Sequence, residues 1–441
     1  MTTLLAFAFV LGVLVFVHEL GHFLMARWHG VRVLTFSLGF GPMLLKVKRG
    51  DTEYAISAIP LGGYVKMAGE NPEDQPTGGA DEFLSKTKWQ RFQILFMGPL
   101  MNLVLAVVLT AVVLMQGAEI PSYEDEPIVV GKVEAGSAAE QAGIRPGDRI
   151  IKAAGEDVAT WERLPLVIGT RANRDVPVTI VRDGAEQTLS VRPTAHGRFS
   201  VGEIGVLPDV YPSVSSVVAG SRAESAGLKA GDVILAVGGD RVVFSKDVSD
   251  RISKSPETPI EIRVRRDGED TELPITVTPA KEGSVGRIGI SIANQTRTFQ
   301  PGPLESVGLS VERNIEFSGM ILKTLWGLIT GEVSPRQLMG PVGIAQLSGE
   351  SAQAGWVALL ALMASISLNL GLLNLLPVPV LDGGHILIMG LEAVARRDFS
   401  MQVKEKMLLA GFVFLMALMV TVIYNDLTRI SWIERMMPWR N

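Results

Sequence analysis

His18, Glu19 and His22 form a His-Glu-x-x-His run inside an apolar stretch that begins at Leu4. On a helix this spacing puts both imidazoles on one face, one turn apart, where they can share a metal ion. The glutamate between them can then take a proton from a water polarised by that ion. An ionisable side chain at bilayer depth costs roughly 2.5–3.5 kcal/mol on insertion scales, so a cluster of them needs a compensating role. Metal coordination supplies one. The chain has no cysteine, so the ligands must be imidazole and carboxylate, and the ion expected is a single zinc. A secretory signal reads poorly here, because Met1-Thr2-Thr3 carries no basic residue and the apolar run contains the charged motif itself.

A second motif lies about 360 residues downstream: Asn374-Leu375-Leu376-Pro377-Val378-Pro379-Val380-Leu381-Asp382-Gly383-Gly384-His385. Pro377 and Pro379 stop a helix, and the glycines permit unusual turns. Asp382 follows that break at a depth comparable to His18 and His22. It can serve as the third zinc ligand, leaving a fourth position for water and substrate. The plain alternative for Asp382 is an N-cap of the following helix. Asn374 can donate to substrate backbone or to a developing oxyanion, or it can be interhelical glue. Asn102 and Asn369 fit the glue role better than catalysis. His385 reads as a neighbour of the site and not as a ligand.

The 441 residues are 47% hydrophobic with a net charge of −5. That composition suits a few membrane spans joined to soluble modules, and it offers no basic field for nucleic acid. Four segments reach spanning length: 4–26, 94–115, 356–376 and 408–427. The connection between the first two carries Arg27, Arg32, Lys46, Lys48, Arg49, Lys66, Lys86, Lys88 and Arg91. The connection between the last two carries Arg396, Arg397, Lys404 and Lys406. The bias of basic residues toward the cytoplasm puts both connections there, with the N-terminus, residues 118–354 and the C-terminus on the far side. Arg429, Arg435 and Arg440 pull the other way at the C-terminus.

Residues 133–206 and 217–290 repeat with an offset of 84. Ala142-Gly143-Ile144-Arg145-Pro146-Gly147-Asp148 matches Ala226-Gly227-Leu228-Lys229-Ala230-Gly231-Asp232, and Arg182-Asp183-Gly184 matches Arg266-Asp267-Gly268. The alternating segments 176–182 and 260–266, each followed by Asp-Gly, predict hairpin strands. The pattern resembles PDZ domains. The tripeptides Ile204-Gly205-Val206 and Ile288-Gly289-Ile290 close each unit, as in circularly permuted bacterial PDZ domains. Such domains bind extended peptides by strand addition and capture a C-terminal carboxylate on backbone N–H groups. Gly205 and Gly289 would mark those loops. A steric spacer without peptide ligand is the alternative.

These motifs, with Gly98-Pro99-Leu100-Met101-Asn102 in the second span, resemble the site-2 protease family of intramembrane metalloproteases, in its branch with tandem periplasmic PDZ domains. The resemblance covers essentially the whole chain. It implies a bacterial inner-membrane enzyme with one zinc on His18, His22 and Asp382, and with Glu19 as general base. It implies cleavage of single-span membrane proteins near the cytoplasmic side, after a first protease trims their outer domain. An anti-sigma factor and remnant signal peptides are the implied substrates. It also implies a membrane-associated β element bordering the active site. Residues 54–67, with Pro60-Leu61-Gly62-Gly63, read as that element, and Gly39-Phe40-Gly41-Pro42 as the start of the same sheet. Gly62, Gly63, Pro377 and Pro379 are then expected beside the substrate, with Asn374.

The expected fold is a polytopic α-helical membrane protein with two PDZ domains. Its parts are a first transmembrane helix (1–28), a cytoplasmic loop with a β-hairpin (29–93) and a second helix (94–117). Two PDZ domains (118–206, 207–292) and an amphipathic linker (293–354) follow. A third helix (355–384), a cytoplasmic loop (385–404), a fourth helix (405–428) and a tail (429–441) complete the chain. Residues 304–330 are apolar but carry Glu305, Glu312, Arg313, Glu316 and Lys323, which suits a helix on the membrane surface. No chemistry follows from Met339-Gly340-Pro341-Val342-Gly343-Ile344. The competing readings are a non-catalytic membrane PDZ scaffold with a structural zinc, and a metal transporter. Neither needs a general base beside its ligands, and a transporter would favour an inverted repeat that is not evident here.

Overall fold

The computed structural model describes residues 2–70, 78–197, 200–266, 272–282, 285–331, 333 and 338–428. The tail 429–441, with its three arginines, and Asp267-Gly268 lie outside the described residues. The chain divides into two units, 1–117 with 300–441 and 118–299.

Among the described residues, four helices are long and apolar enough to cross a membrane, and all lie in the first unit. They are α1 (Thr2–Trp28) and α2 (Lys88–Met115), and, after α3 (Pro303–Ile329) and α4 (Pro341–Ala354), α5 (Trp356–Asn374) and, beyond α6 (Asp382–Ala395), α7 (Met401–Thr428). α2 is the central element and packs against α1, α3, α5 and α6. Thr87 and Gln90 begin it with a reciprocal capping box. Without a hydrophobic driving force in lipid, close approach depends on small residues. A Cβ on Gly21 of α1 would stand 2.4 Å from the Met97 carbonyl oxygen of α2.

Three features of this unit differ from the sequence expectation. The β element expected as a hairpin over 54–67 is larger than that. β1 (Val33–Arg49) and β2 (Thr52–Met67) fold back on each other, so that residues 33–38 pair with 53–56 on one side and 63–67 on the other. Residues 43–49 pair with 52–57, which gives a four-segment antiparallel sheet. Gly39 makes the fold-back possible: its φ is +92°, and a Cβ would meet the Ile59 carbonyl oxygen at 2.6 Å. Secondly, the expected loop 385–404 is mostly helical, because α6 starts at Asp382 itself with Leu381 as its N-cap. Thirdly, α3 carries small and polar residues (Ser306, Ser310, Asn314) on its buried face, and leaves Leu304, Ile315 and Ile329 exposed. Asn314 donates to Thr110 of α2 at 3.2 Å. The face packed on α2 is therefore one of small and polar residues, which allow close approach and interhelical hydrogen bonds.

Two buried carboxylates fasten the helices. Glu392 of α6 is 1% exposed and accepts from the Phe399 N–H at 2.9 Å and from Lys404 Nζ at 2.7 Å. Asp426 of α7 accepts from the N–H groups of Gly340 and Gly343 at 3.0 and 2.9 Å, at the start of α4. This gives residues 339–344 the purpose that their sequence does not declare. The glycines let a carboxylate approach a helix N-terminus, and a Cβ on Gly340 would meet Asp426 Oδ2 at 2.7 Å.

The second unit is built twice. In the first half, strands 156–157, 149–153, 176–182 and 185–191 pair in that order, while 130–133 pairs with 206–208. In the second half the order is 272–277, 260–265, 233–237, 213–217, 290–293. The Asp183-Gly184 hairpin has positive φ at both residues, as a type I′ turn requires. Each half has its own core, around Ile150, Val178 and Ile180 and around Ile234, Ile262 and Val264. The first half runs past the expected boundary at 206, since Pro208 still pairs with Val130. The unit closes through a ribbon, 118–121 against 296–299, with Ala118 opposite Phe299.

The repeated Gly-Asp and Arg-Asp-Gly motifs explain each other. Arg182 donates twice to Asp148, at 2.7 and 2.6 Å, and to the Gly143 carbonyl. Arg266 does the same to Asp232 and Gly227. Asp148 and Asp232 are 2% and 0% exposed. Burial pushes each carboxyl up, but the guanidinium and a backbone N–H outweigh it and hold both below the usual carboxylate range. A depressed native value stabilises the fold above the ordinary carboxylate pKa of about 3.9, and that stability is lost as pH falls through the native value. Arg182→Met and Arg266→Met are therefore expected to move acid unfolding to higher pH and to lower the melting temperature at pH 7, read by circular dichroism. An unchanged acid midpoint would remove these pairs from the stability account.

Candidate metal centre

His18 and His22 project from α1, and Asp382 from the first turn of α6. The His18 and His22 Nε2 atoms are 3.2 Å apart. Asp382 Oδ2 stands 3.2 Å from His18 Nε2, and Oδ1 stands 3.5 Å from His22 Nε2. Among the described residues, this is the His/Cys/Asp/Glu group that could hold a metal ion. Tetrahedral zinc with bonds of about 2.0–2.1 Å needs neighbouring ligand atoms about 3.3–3.4 Å apart, a spacing close to that between the two imidazoles and between each imidazole and the carboxylate oxygen nearest it. The donor chemistry agrees. His22 Nδ1 donates to the Ile94 carbonyl at 2.8 Å, which leaves its Nε2 lone pair free for a cation.

The local sequence explains the convergence. α5 ends at Asn374, the Pro-rich segment turns the chain, and α6 restarts at Asp382. Gly383 and Gly384 are required by that turn, since a Cβ on either would stand 2.2 and 2.1 Å from the carbonyl oxygens of Leu375 and Val378. The His22 ring lies against Gly98 of α2, where a Cβ would be 2.3 Å from Nε2. Glu19 is 9% exposed.

The remaining sequence candidates divide. Asn374 Nδ2 reaches His18 Nε2 at 3.3 Å, at the edge of the centre. Gly63 passes beside Glu19: a Cβ there would stand 3.1 Å from Glu19 Cγ and 2.8 Å from Val15. Gly62, with φ +110°, has the Phe40 ring where its side chain would be. Pro379 lies against Gly411 of α7, and Pro377 is exposed. Gly205 and Gly289 are tightly packed turns, with φ of +76° and +82°. A Cβ on them would stand 2.3 and 2.5 Å from Ser137 and Ser221 Cβ. Asn369 bonds within its own helix, to the Ser365 carbonyl.

Sequence reasoning set Asn102 aside as glue, whereas its amide stands 3.3 Å from His18 Nδ1. The signal was available in the spacing. Gly98 and Asn102 stand four apart on α2, as His18 and His22 do on α1, so each pair presents one face. Gly98 meets His22 and Asn102 meets His18.

A model of peptidase family M50 matches residues 6–418. A putative zinc metalloprotease of Vibrio cholerae serotype O1 is 34% identical over 452 residues, covering 97% of this chain and 98% of that protein. The regulator of sigma-E protease RseP of Salmonella typhimurium is 34% identical over 453 residues, covering 97% and 98%. The regulator of sigma E protease of Haemophilus influenzae is 34% identical over 447 residues, covering 96% and 98%. With the family matched over most of its length and relatives alike from end to end, the chain belongs to peptidase family M50, the site-2 proteases, and is a zinc metalloprotease.

Proposed function

We propose that this chain cuts single-span membrane proteins within or near the bilayer, with one zinc held by His18, His22 and Asp382. The observation that carries the reading is the meeting of His18 and His22, on a helix of spanning length, with Asp382 at the start of α6, beside Glu19. When bound, zinc supplies a Lewis acid that activates water near neutral pH and polarises the scissile carbonyl. Glu19 takes the proton of the attacking water and delivers it to the leaving amine. Asn374 donates to the substrate backbone or to the oxygen that gains charge. The sheet segment 63–67 borders Glu19, and pairing along it would hold an unwound substrate extended. Gly62 and Gly63 belong to that contact, and the Pro377/Pro379 turn keeps Asp382 in place.

The double unit reads as two circularly permuted PDZ domains on the periplasmic side of a bacterial inner membrane. The N-terminus shares that side, and the metal centre lies nearer the cytoplasm. The boundaries that suit the strand pairing are 118–208 and 209–299. These domains either recognise a fresh peptide C-terminus or exclude substrates that still carry a bulky outer domain. An anti-sigma factor after trimming, and remnant signal peptides, are the substrate classes we infer from the family resemblance, and the relatives named as sigma-E regulators are consistent with the first.

Two experiments bear on this. Purified protein in detergent should cut a single-span substrate, and mass spectrometry should map the cut inside the substrate's span. Cuts confined to soluble segments would overturn the intramembrane reading. Because the chain lacks cysteine, single cysteines at Lys48, Arg397 and Arg222 report orientation. The first two should label only from the cytoplasm and the third only from the periplasm; the reverse pattern would refute the orientation.

A further inference from the structure

We propose that Asn102 is a positioning residue for the metal centre: its amide oxygen accepts the Nδ1 proton of His18 and so fixes that ring with Nε2 toward the metal. This rests on the reading of His18 as a zinc ligand. Asn102 is 0% exposed, at the middle of α2. Its Nδ2 stands 3.3 Å from His18 Nδ1, while its Oδ1 has no hydrogen-bond partner among the described residues. An amide nitrogen facing Nδ1 requires that Nδ1 be unprotonated. A neutral imidazole would then carry its proton on Nε2, the atom that faces Asp382 and His22. That tautomer cannot bind a cation through Nε2. A half-turn of the amide exchanges its two ends within the same volume. The oxygen then meets Nδ1–H, and Nε2 presents its lone pair to the centre.

The two histidines thus use one device. His22 Nδ1 donates to the Ile94 carbonyl of α2, and His18 Nδ1 donates to a side chain two turns further along the same helix. Asn102 is itself held, since Ser367 of α5 donates to its backbone carbonyl at 2.8 Å. α2 therefore sets both imidazole tautomers, and hydrogen-bond partners of this kind usually change metal affinity about 10–100-fold when removed.

The test is the zinc affinity of the purified full chain in detergent, by competition with a chromophoric chelator, for wild type, Asn102→Leu and Asn102→Asp. Leucine keeps the volume but accepts nothing, so affinity should fall about 10–100-fold. Aspartate keeps the acceptor and should hold zinc at least as well as wild type. A residue that served only for packing would give the opposite order, with leucine tolerated and a buried aspartate damaging, and that order overturns the proposal. If wild type binds zinc no better than His18→Ala, the metal-centre reading fails and takes this inference with it. If zinc depends on His18 but Asn102→Leu binds as wild type does, only this inference falls. Should the variants not fold, nitrogen-15 spectra of zinc-loaded wild type decide. His18 should carry its proton on Nδ1, and a proton on Nε2 would refute the assignment.

Discussion

Glu19→Gln is expected to slow cleavage by about 10²–10⁴-fold, the usual worth of a general base, while the protein still holds one zinc. Glutamine keeps the shape and hydrogen-bonding reach of glutamate but cannot accept a proton at neutral pH. The substitution leaves His18, His22 and Asp382 untouched. The backbone of Gly63 lies so near that a Cβ there would stand 3.1 Å from Glu19 Cγ, so a side chain of equal volume avoids repacking the sheet. The loss should fall on kcat, with KM little changed, because the proton transfer belongs to the transition state. Bound, uncut substrate should accumulate. Single-turnover rates measured beside zinc content check this, and near-normal cleavage would take the role of base from Glu19.

Deleting 118–299 is expected to have a large effect of the opposite sign on substrates that still carry an outer domain. The full chain should leave them intact and the deleted chain should cut them, while trimmed substrate is cut by both. The join is short: Gly117 and Gln300 are neighbours, with a Cβ on Gly117 3.3 Å from Gln300 Cβ. His18, Glu19, His22, Asn374 and Asp382 all lie in the other unit. A deleted chain that folds and holds zinc but no longer cuts trimmed substrate would end the gate account. Gly205→Asp and Gly289→Asp do not probe carboxylate capture, since their side chains would first displace Ser137 and Ser221.

The grouping of the candidate ligands was legible where residue type and spacing act locally. His18, Glu19 and His22 declare themselves by an interval of one helical turn, and Asp382 by a break in an apolar run. The duplication was legible because the Asp148–Arg182 and Asp232–Arg266 pairs need the same residues at the same offset. What escaped depends on contacts that no local pattern encodes. The four-segment sheet arises because residues 33–38 accept partners on both edges, which a hairpin reading of 54–67 does not foresee. The polar face that α3 packs on α2 depends on partners such as Thr110, and the role of residues 339–344 on Asp426, 83 residues away from Gly343. Asn102 does bridge helices, as expected, but which side chain it would meet on α1 was not legible from its own span.

The central claim is that one zinc, held by His18, His22 and Asp382, is needed for cleavage. Its most direct measurement follows zinc per chain and cleavage of a single-span substrate in one preparation: as purified, after exhaustive chelation, and after zinc is restored. His18→Ala, His22→Ala and Asp382→Ala are carried alongside. Wild type should hold one zinc, lose activity with it and regain both, whereas each variant should bind zinc weakly and stay inactive when zinc is restored. Full cleavage after the metal is gone, or wild-type zinc and activity in the three variants, would contradict the account.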